Sequence, residues 1–383
     1  MYDNKFHPEP LIFIYHMLVH ADDILMLATS RKLAIDKIFA LLKYCGENYI
    51  KLQITKCSFM CVNSSSDEDQ LPIAIENLTL DVTSAEVYLG SVITNSAKFT
   101  DDMKADIKHR HISIVKYFAF LRCNRNAPTD VKLKALEACT LYSLLYNAET
   151  WACAKIDNLE TIYRRMLKSI LGIGMTVCNE IVYIELGMIS VKTRVKIKQW
   201  RFWKGVMEMD EVNPIMYVIR EARRLKMKEV RYYDNLIAQY ENVEEIVQEF
   251  FEEIRDDIRT KAENGRTKYA TYLMINPSLT KPTIYENLKL HKHVSMVGKL
   301  RSSSHNLHVE MGRRSGKVRE RRVCVCENGV EDEEHFLKRC QLYYDIRRDH
   351  NITNQTLEEI LNDATKIRYI SDLMERRKQM TSS

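Results

Sequence analysis

The sequence predicts an α+β protein in which a short strand-and-helix unit passes into a long helical one. Two observations predict it. Short apolar runs separated by turn residues occupy the stretch before Asp101, and beyond it the apolar residues recur at the three-to-four spacing of helices. A third observation sets the scale: 383 residues, 45% hydrophobic, with only 11 Gly and 7 Pro, suffice for several domains and exclude a disordered or disulfide-stapled chain.

The elements follow in order. Leu11 to Val19 is apolar, Ala21-Asp22-Asp23 interrupts, and Ile24-Leu25-Met26-Leu27 resumes, the pattern of a buried hairpin with an acidic pair at its turn. Ala34, Ile38, Leu41, Leu42 and Cys45 then recur at helical spacing, and Gly46 stands where that helix would stop. Strand-like runs are expected at Ser58 to Asn63, Leu78 to Val82 and Val87 to Thr94, with a polar loop from Ser64 to Gln70. Ile107, Ile114, Val115, Phe118 and Leu121 make a first helical stripe; Val131, Leu133, Leu136 and Cys139 a second; Ile162, Met166, Leu167 and Ile170 a third. Trp200, Phe202 and Trp203, with Val195, Ile197 and Val206 nearby, read as helix core. The clearest stripe runs from Val243 to Ile258 and is backed by an acidic face. No repeat of fixed period occurs.

Lys plus Arg number 57 and Asp plus Glu 52, a net charge of +5. Between Arg301 and Arg322 stand Arg301, Arg313, Arg314, Lys317, Arg319, Arg321 and Arg322 against Glu310 and Glu320 alone. The whole excess therefore sits in that stretch, a pattern suited to phosphate contacts with weak sequence preference. Tyr343 and Tyr344 follow and could stack on bases. Ten cysteines without a secretory leader point to a reducing compartment and an intracellular, unsecreted protein. The run Leu11 to Ala21 is broken by His16 and His20 and falls short of the ~20 residues of a membrane span. Walker A, Gly-x-Ser-x-Gly, His-Glu-x-x-His and dinucleotide patterns are absent.

Three Asp-Asp pairs occur. Asp101-Asp102 stands at a helix start and reads as a cap, and Asp256-Asp257 lies on the acidic helix face. Asp22-Asp23 is enclosed by apolar residues, where two carboxylates ask for a cation or donors. They could hold Mg²⁺, a hard cation that takes oxygen ligands, or sit in water at a tight turn. Near the C-terminus, Cys324, Cys326, His335 and Cys340 form a complete tetrahedral set for a structural Zn²⁺. The single residue between the first two is tight, but on an extended strand both sulfurs would share a face.

Leu18-Val19-His20-Ala21-Asp22-Asp23-Ile24-Leu25-Met26-Leu27 resembles the Tyr-Ala-Asp-Asp hairpin of reverse transcriptases, particularly those of non-LTR retrotransposons, with His20 in place of the aromatic. In the same order, Leu52-Gln53-Ile54-Thr55-Lys56-Cys57 resembles the family's lysine motif and Tyr88-Leu89-Gly90-Ser91-Val92-Ile93 its primer-grip hairpin. Asp106 to Leu121 and Leu145 to Trp151 resemble its thumb. Leu300 to His305, Glu310 to Arg313, Arg322 to Cys324 and Val330 to Leu337 resemble its zinc-binding tail, in which the first cysteine pair usually encloses two residues.

The resemblance implies a truncated palm over 1–100, a helical thumb over 101–210, a helical connector over 211–298 and a basic zinc-binding lobe over 299–383. Asp22 and Asp23 would carry catalytic Mg²⁺, Lys56 would lie near the incoming nucleotide, and Tyr88, Leu89 and Gly90 would place the primer end. The implied activity is RNA-directed DNA polymerisation; the partners are an RNA template and a DNA primer or target, with dNTPs and no other small substrate, in nucleus or cytoplasm. The family's further catalytic Asp and its fingers lie upstream of the hairpin, whereas here 21 residues precede Asp22 and Asp3 is the sole Asp among them. The expectation is a C-terminal part that does not polymerise alone, or a non-catalytic nucleic-acid-binding remnant acting through its tail.

Overall fold

Strand β1 (Met17–His20) and strand β2 (Asp23–Met26) pair antiparallel, with His20 opposite Asp23 and Ala21-Asp22 as the two-residue turn. Ala21 takes φ 53°, the left-handed conformation that twists a two-residue turn to match its strands. The computed structural model describes residues 17–64, 66, 71–75, 78–96, 98–152 and 154–382. Asp3, Leu11 to His16 and most of the expected loop 64–70 lie outside the described residues. The hairpin is not the buried one expected: Met17, Val19 and Ile24 are exposed, and Leu18, Leu25 and Met26 are half-buried.

Helix α1 (Arg31–Glu47) starts at Ser30, whose hydroxyl accepts from the Leu33 amide at 3.2 Å. It runs through Gly46 and ends at Asn48, and the left-handed residue beyond it is Tyr49 (φ 55°). Ile38, with Ile35 and Leu42, packs on the hairpin of β3 (Ile73–Ile75) and β4 (Leu78–Leu80), where Ile73, Ile75 and Leu80 are buried and Met26 and Phe59 close the cluster. The run from Ser58 to Asn63 contributes only a parallel bridge, Phe59 to Val82. Val87 to Thr94 is the turn and arms of a third hairpin, β5 (Ala85–Tyr88) with β6 (Ser91–Thr94). Its turn residues Leu89 and Gly90 have φ 48° and 77°, both left-handed, so a glycine suits the second place.

Helix α2 (Phe99–His109) is tied to β6 through carboxylates: Asp102 accepts from the Thr94 amide at 2.7 Å and Asp106 from the Val92 amide at 2.8 Å. Asp102 thus holds a strand edge, beyond the helix-start role expected of it. α2 stops at Arg110 and helix α3 (His111–Cys123) begins at once. That break shifts the phase, so Ile114 and Tyr117 are buried while Val115 is 47% exposed. Helix α4 (Thr129–Ala135) passes into a π-turn, Leu136–Leu141. Within the regular helix Val131 stands opposite buried Leu133, and in the wider turn Leu136 is inside and Cys139 outside. Helix α5 (Asp157–Leu171) buries Met166, Leu167, Ile170 and Leu171 completely.

Helix α6 (Asn179–Leu186) is buried from Ile181 onward, Glu185 included. Helix α7 (Val191–Met207), α8 (Pro214–Arg224) and α9 (Lys228–Gln239) follow. Trp203 stacks on Tyr233 with ring centres 4.8 Å apart and donates to Asp234 at 3.0 Å, so the tryptophans are core. Helix α10 (Val243–Glu263) buries Ile246, Ile254 and Ile258 as its stripe predicts. Helices α11 (Thr267–Ile275), α12 (His291–Arg301) and α13 (His308–Arg314) lead to the cysteines; α14 (Tyr344–Asp349), α15 (Leu357–Asn362) and α16 (Ile367–Ser382) complete the described chain.

Helices with small antiparallel sheets make the protein α+β, as expected. Among the described residues the strands form three separate two-stranded sheets. The contacts divide the chain into two units. One comprises the described residues of Met1–Ser113 with Tyr142–Lys155 and Val195–Val243; the other comprises Ile114–Leu141, Ile156–Arg194 and Glu244–Ser383. The expected boundaries at 100, 210 and 298 are not those of the units. Residues 101–210 fall in both units, and the described residues from 299 onward fall in the second. Among the described residues, no helix is long and apolar enough to cross a membrane.

Candidate metal centre

Cys324 lies just after Val323, which bridges Val330 antiparallel. The Cys324 amide donates to the Gly329 carbonyl at 2.9 Å and the Glu327 amide to the Cys324 carbonyl at 2.8 Å. Val325 and Cys326 are therefore the middle of a tight turn. The two sulfurs converge by that turn, not by the extended strand expected.

His335 opens a π-turn, His335–Arg339, and Cys340 follows it, its amide donating to the His335 carbonyl at 2.8 Å. In an α-helix a residue five places on is rotated about 140° away. The i to i+5 turn instead carries Cys340 back over His335. Asp332 accepts from the His335 amide at 2.9 Å and fixes the start of this turn.

The outcome is one cluster. Cys324 Sγ and Cys340 Sγ are 3.7 Å apart, Cys326 Sγ and His335 Nε2 are 3.2 Å apart, and all four ligand atoms lie within 4.8 Å of one another. A tetrahedral site with Zn–S bonds of about 2.3 Å has S···S edges of about 3.8 Å. The cysteine pair matches such an edge and is far too long for a disulfide. Burial pushes the Cys324 and Cys340 thiols up and the His335 imidazole down. A cation reverses this for the thiols, and neutral imidazole is already the ligand form. These four side chains can hold a zinc ion. Behind them, Phe336 meets Tyr343 edge-on at 5.3 Å and Arg347 donates to the Cys340 carbonyl at 2.6 Å.

Four of the five acids between the ligands, Glu331 to Glu334, have side-chain partners. Glu331 receives Arg377 at 2.6 and 2.9 Å, Asp332 receives Arg319 at 2.7 Å, Glu333 receives Ser303 at 2.6 Å and lies 2.8 Å from His305, and Glu334 receives Arg339 at 2.6 Å. They brace the centre.

This bracing also reassigns part of the basic run. Arg301 is fully buried, and its guanidinium grips Glu185 of α6 at 2.7 and 2.8 Å, with Tyr272 donating to the same carboxylate at 2.7 Å. Arg301 is thus a core residue rather than a nucleic-acid contact; its partner, 116 residues upstream, left no signal in the charge pattern. Arg313 pairs with Glu310 and donates to Thr267 at 2.7 Å. Arg322 donates to the Lys317 and Val309 carbonyls, and its stem lies where a Cβ on Gly312 would stand at 2.6 Å. Arg314, Lys317, Arg319 and Arg321 remain exposed. Tyr343 is 2% exposed and cannot stack on a base, whereas Tyr344 is 64% exposed.

In the first unit, Asp22 and Asp23 stand exposed at the tip of β1–β2. Their carboxylates are hard oxygen donors. Among the described residues, however, no further His, Cys, Asp or Glu joins them in a group of three. Tyr88 brings the third hairpin alongside, its hydroxyl donating to the Leu18 carbonyl at 3.4 Å. Tyr146 donates to the Leu89 carbonyl at 2.9 Å, and Arg110, paired with Asp106 at 3.3 Å, donates to the Gly90 carbonyl. The Leu89-Gly90 turn is held rigid from beneath. Lys56 lies exposed on a 3₁₀ turn, Ile54–Lys56.

No family model, curated protein or solved structure matches this chain. Its chemistry is therefore read from the metal centre, the two hairpins and the charge around them.

Proposed function

We propose that the chain belongs to an RNA-directed DNA polymerase like those of non-LTR retrotransposons, supplying the end of its palm, its thumb and a tail organised by structural Zn²⁺. The observation that carries this reading is the joining of two hairpins by the Tyr88 to Leu18 hydrogen bond, one with Asp22-Asp23 at its tip and the other with Leu89-Gly90. In such an enzyme the carboxylates hold the ions that assist in-line nucleotidyl transfer, and a rigid turn beside them places the primer end. Mg²⁺ would supply the charge stabilisation. Asp22 and Asp23 would orient it, Lys56 would face the incoming nucleotide, and a further carboxylate beyond the described residues would complete the site.

A second reading is favoured by one observation, the lack of a third acidic ligand at Asp22-Asp23 among the described residues. In it the protein binds nucleic acid without catalysis. An RNA template annealed to a DNA primer with a photoreactive 3′ end separates the two. Crosslinks at Tyr88 to Ser91 are expected under the polymerase reading. Crosslinks confined to the second unit support the binding reading alone, and no binding at low salt removes both.

A further inference from the structure

A cleft of ≈ 1300 Å³ in the second unit has a lining rich in cations and without an Asp or Glu. It gathers charge from segments far apart in sequence: Arg125 from the loop after α3, Lys292 and Lys299 from α12, and Lys378 from α16. All four are exposed. Seven residues separate Lys292 from Lys299, which puts them about two turns, or roughly 10 Å, apart along one helix.

The N-terminal end of α12 opens on the same cleft, with the partial positive charge of a helix start. The His291 amide donates to Asn126 at 3.2 Å, and His291 Nδ1 is buried without a hydrogen-bond partner. Burial first, and then the charges of Lys132, Arg125 and Lys299, hold this imidazole below its usual pKa, as a positive local field would. Gly172 permits the arrangement, since a Cβ there would stand 2.9 Å from both His291 and Ser295. Arg377, also in the lining, is already bound to Glu331 and serves as wall.

Arg125, Lys292 and Lys299 thus put cationic groups on a lining that holds no carboxylate, which favours an anion there. The lining holds apolar Leu290, Met296, Leu307, Met311 and Met374 but no Phe, Tyr or Trp, so bases find no stacking platform there. We infer that this cleft, and not the Arg313 to Arg322 run, is the main nucleic-acid contact of the second unit, and that it grips a phosphodiester backbone without reading bases. The inference rests on the nucleic-acid reading above for the class of its partner.

The test uses the full chain, a fluorescein-labelled 20-nucleotide RNA and salt from 50 to 300 mM. Each single-strand phosphate contact contributes about 0.7 to the slope of log affinity on log salt. Lys292→Gln with Lys299→Gln is expected to lower the slope by about 1.4 and the affinity at 0.1 M salt by about 25-fold. Lys317→Gln with Arg321→Gln should change affinity less than threefold. The reverse ranking overturns the cleft and leaves the nucleic-acid reading standing; no binding by the unaltered protein overturns both. Unlabelled tripolyphosphate or phosphatidylserine vesicles, matched to RNA in phosphate, are expected to compete poorly. If either displaces RNA as well as RNA itself does, the cleft is a site for short polyphosphates or lipid and the inference fails. Because all four altered side chains are exposed, matching circular dichroism and melting curves are expected for every variant.

Discussion

Removing one partner of a buried ion pair leaves the other charge without water or counter-ion, and this decides how Arg301 behaves on substitution. Glu185 would keep its tyrosine donors but lose both guanidinium bonds. Arg301→Gln is expected to lower unfolding free energy by about 3–5 kcal/mol in urea titration, with little effect on the salt slope for RNA. A slope change like that of Lys299→Gln would restore Arg301 to the surface. Gly312→Ala is a second residue-scale case, because the Arg322 stem fills the space a Cβ needs. That stem must shift and loosen its hold on the Lys317 carbonyl, and a lower melting temperature is the expected reading.

Among the elements, the turn His335–Arg339 has most to do with the metal, since it makes a five-residue spacing behave as a neighbour pair. Purified chain is expected to hold one zinc, measured by elemental analysis, and Cys340→Ser to lose it with stability, because binding the ion contributes folding free energy. The α6–α10–α11 contact gives a pH test away from the metal. Although burial raises the Glu180 pKa, hydrogen bonds from Lys261 (2.9 Å) and Tyr269 (3.0 Å) and the Lys261 charge outweigh it and hold it below 4.5. With the folded value depressed, this stabilisation is complete above pH 4.5 and lost as pH falls through the folded pKa. Glu180→Gln should therefore reduce the difference in melting temperature between pH 6 and pH 4, and an unchanged difference would count against the pairing.

Elements were legible in sequence where chain-local rules set them. Apolar runs on either side of an acidic turn marked β1–β2, and the stripe from Val243 to Ile258 marked α10. Legibility failed where a break shifts the helical phase, as at Arg110 and Leu136, which turned Val115 and Cys139 outward. The four metal ligands were readable from residue type and order alone. How Cys324 and Cys326 meet was not, because a turn and a strand both allow one intervening residue. The cleft was unreadable too, since Arg125, Lys299 and Lys378 meet only after folding.

At the level of the whole molecule, the metal centre belongs to the unit that contains α5, α6 and α10. Chelation is expected to speed hydrogen exchange at α6 and α12 as well as around the cysteines, since Arg301 links α12 to α6. The α1–β3–β4 core of the other unit should keep its protection. Loss of protection throughout would show that the two units unfold together.

Each unit is assembled from three stretches of chain, so the polypeptide passes between them five times before Ser383. On the ribosome the stretch ending at Ser113 must await Val243, 130 residues later, before its unit is complete. At about 5–20 residues per second that is a delay of roughly 7–26 s. During it the exposed hairpin and the half-made unit stand open to chaperones, and a message stalled or terminated before Val243 would yield neither unit whole.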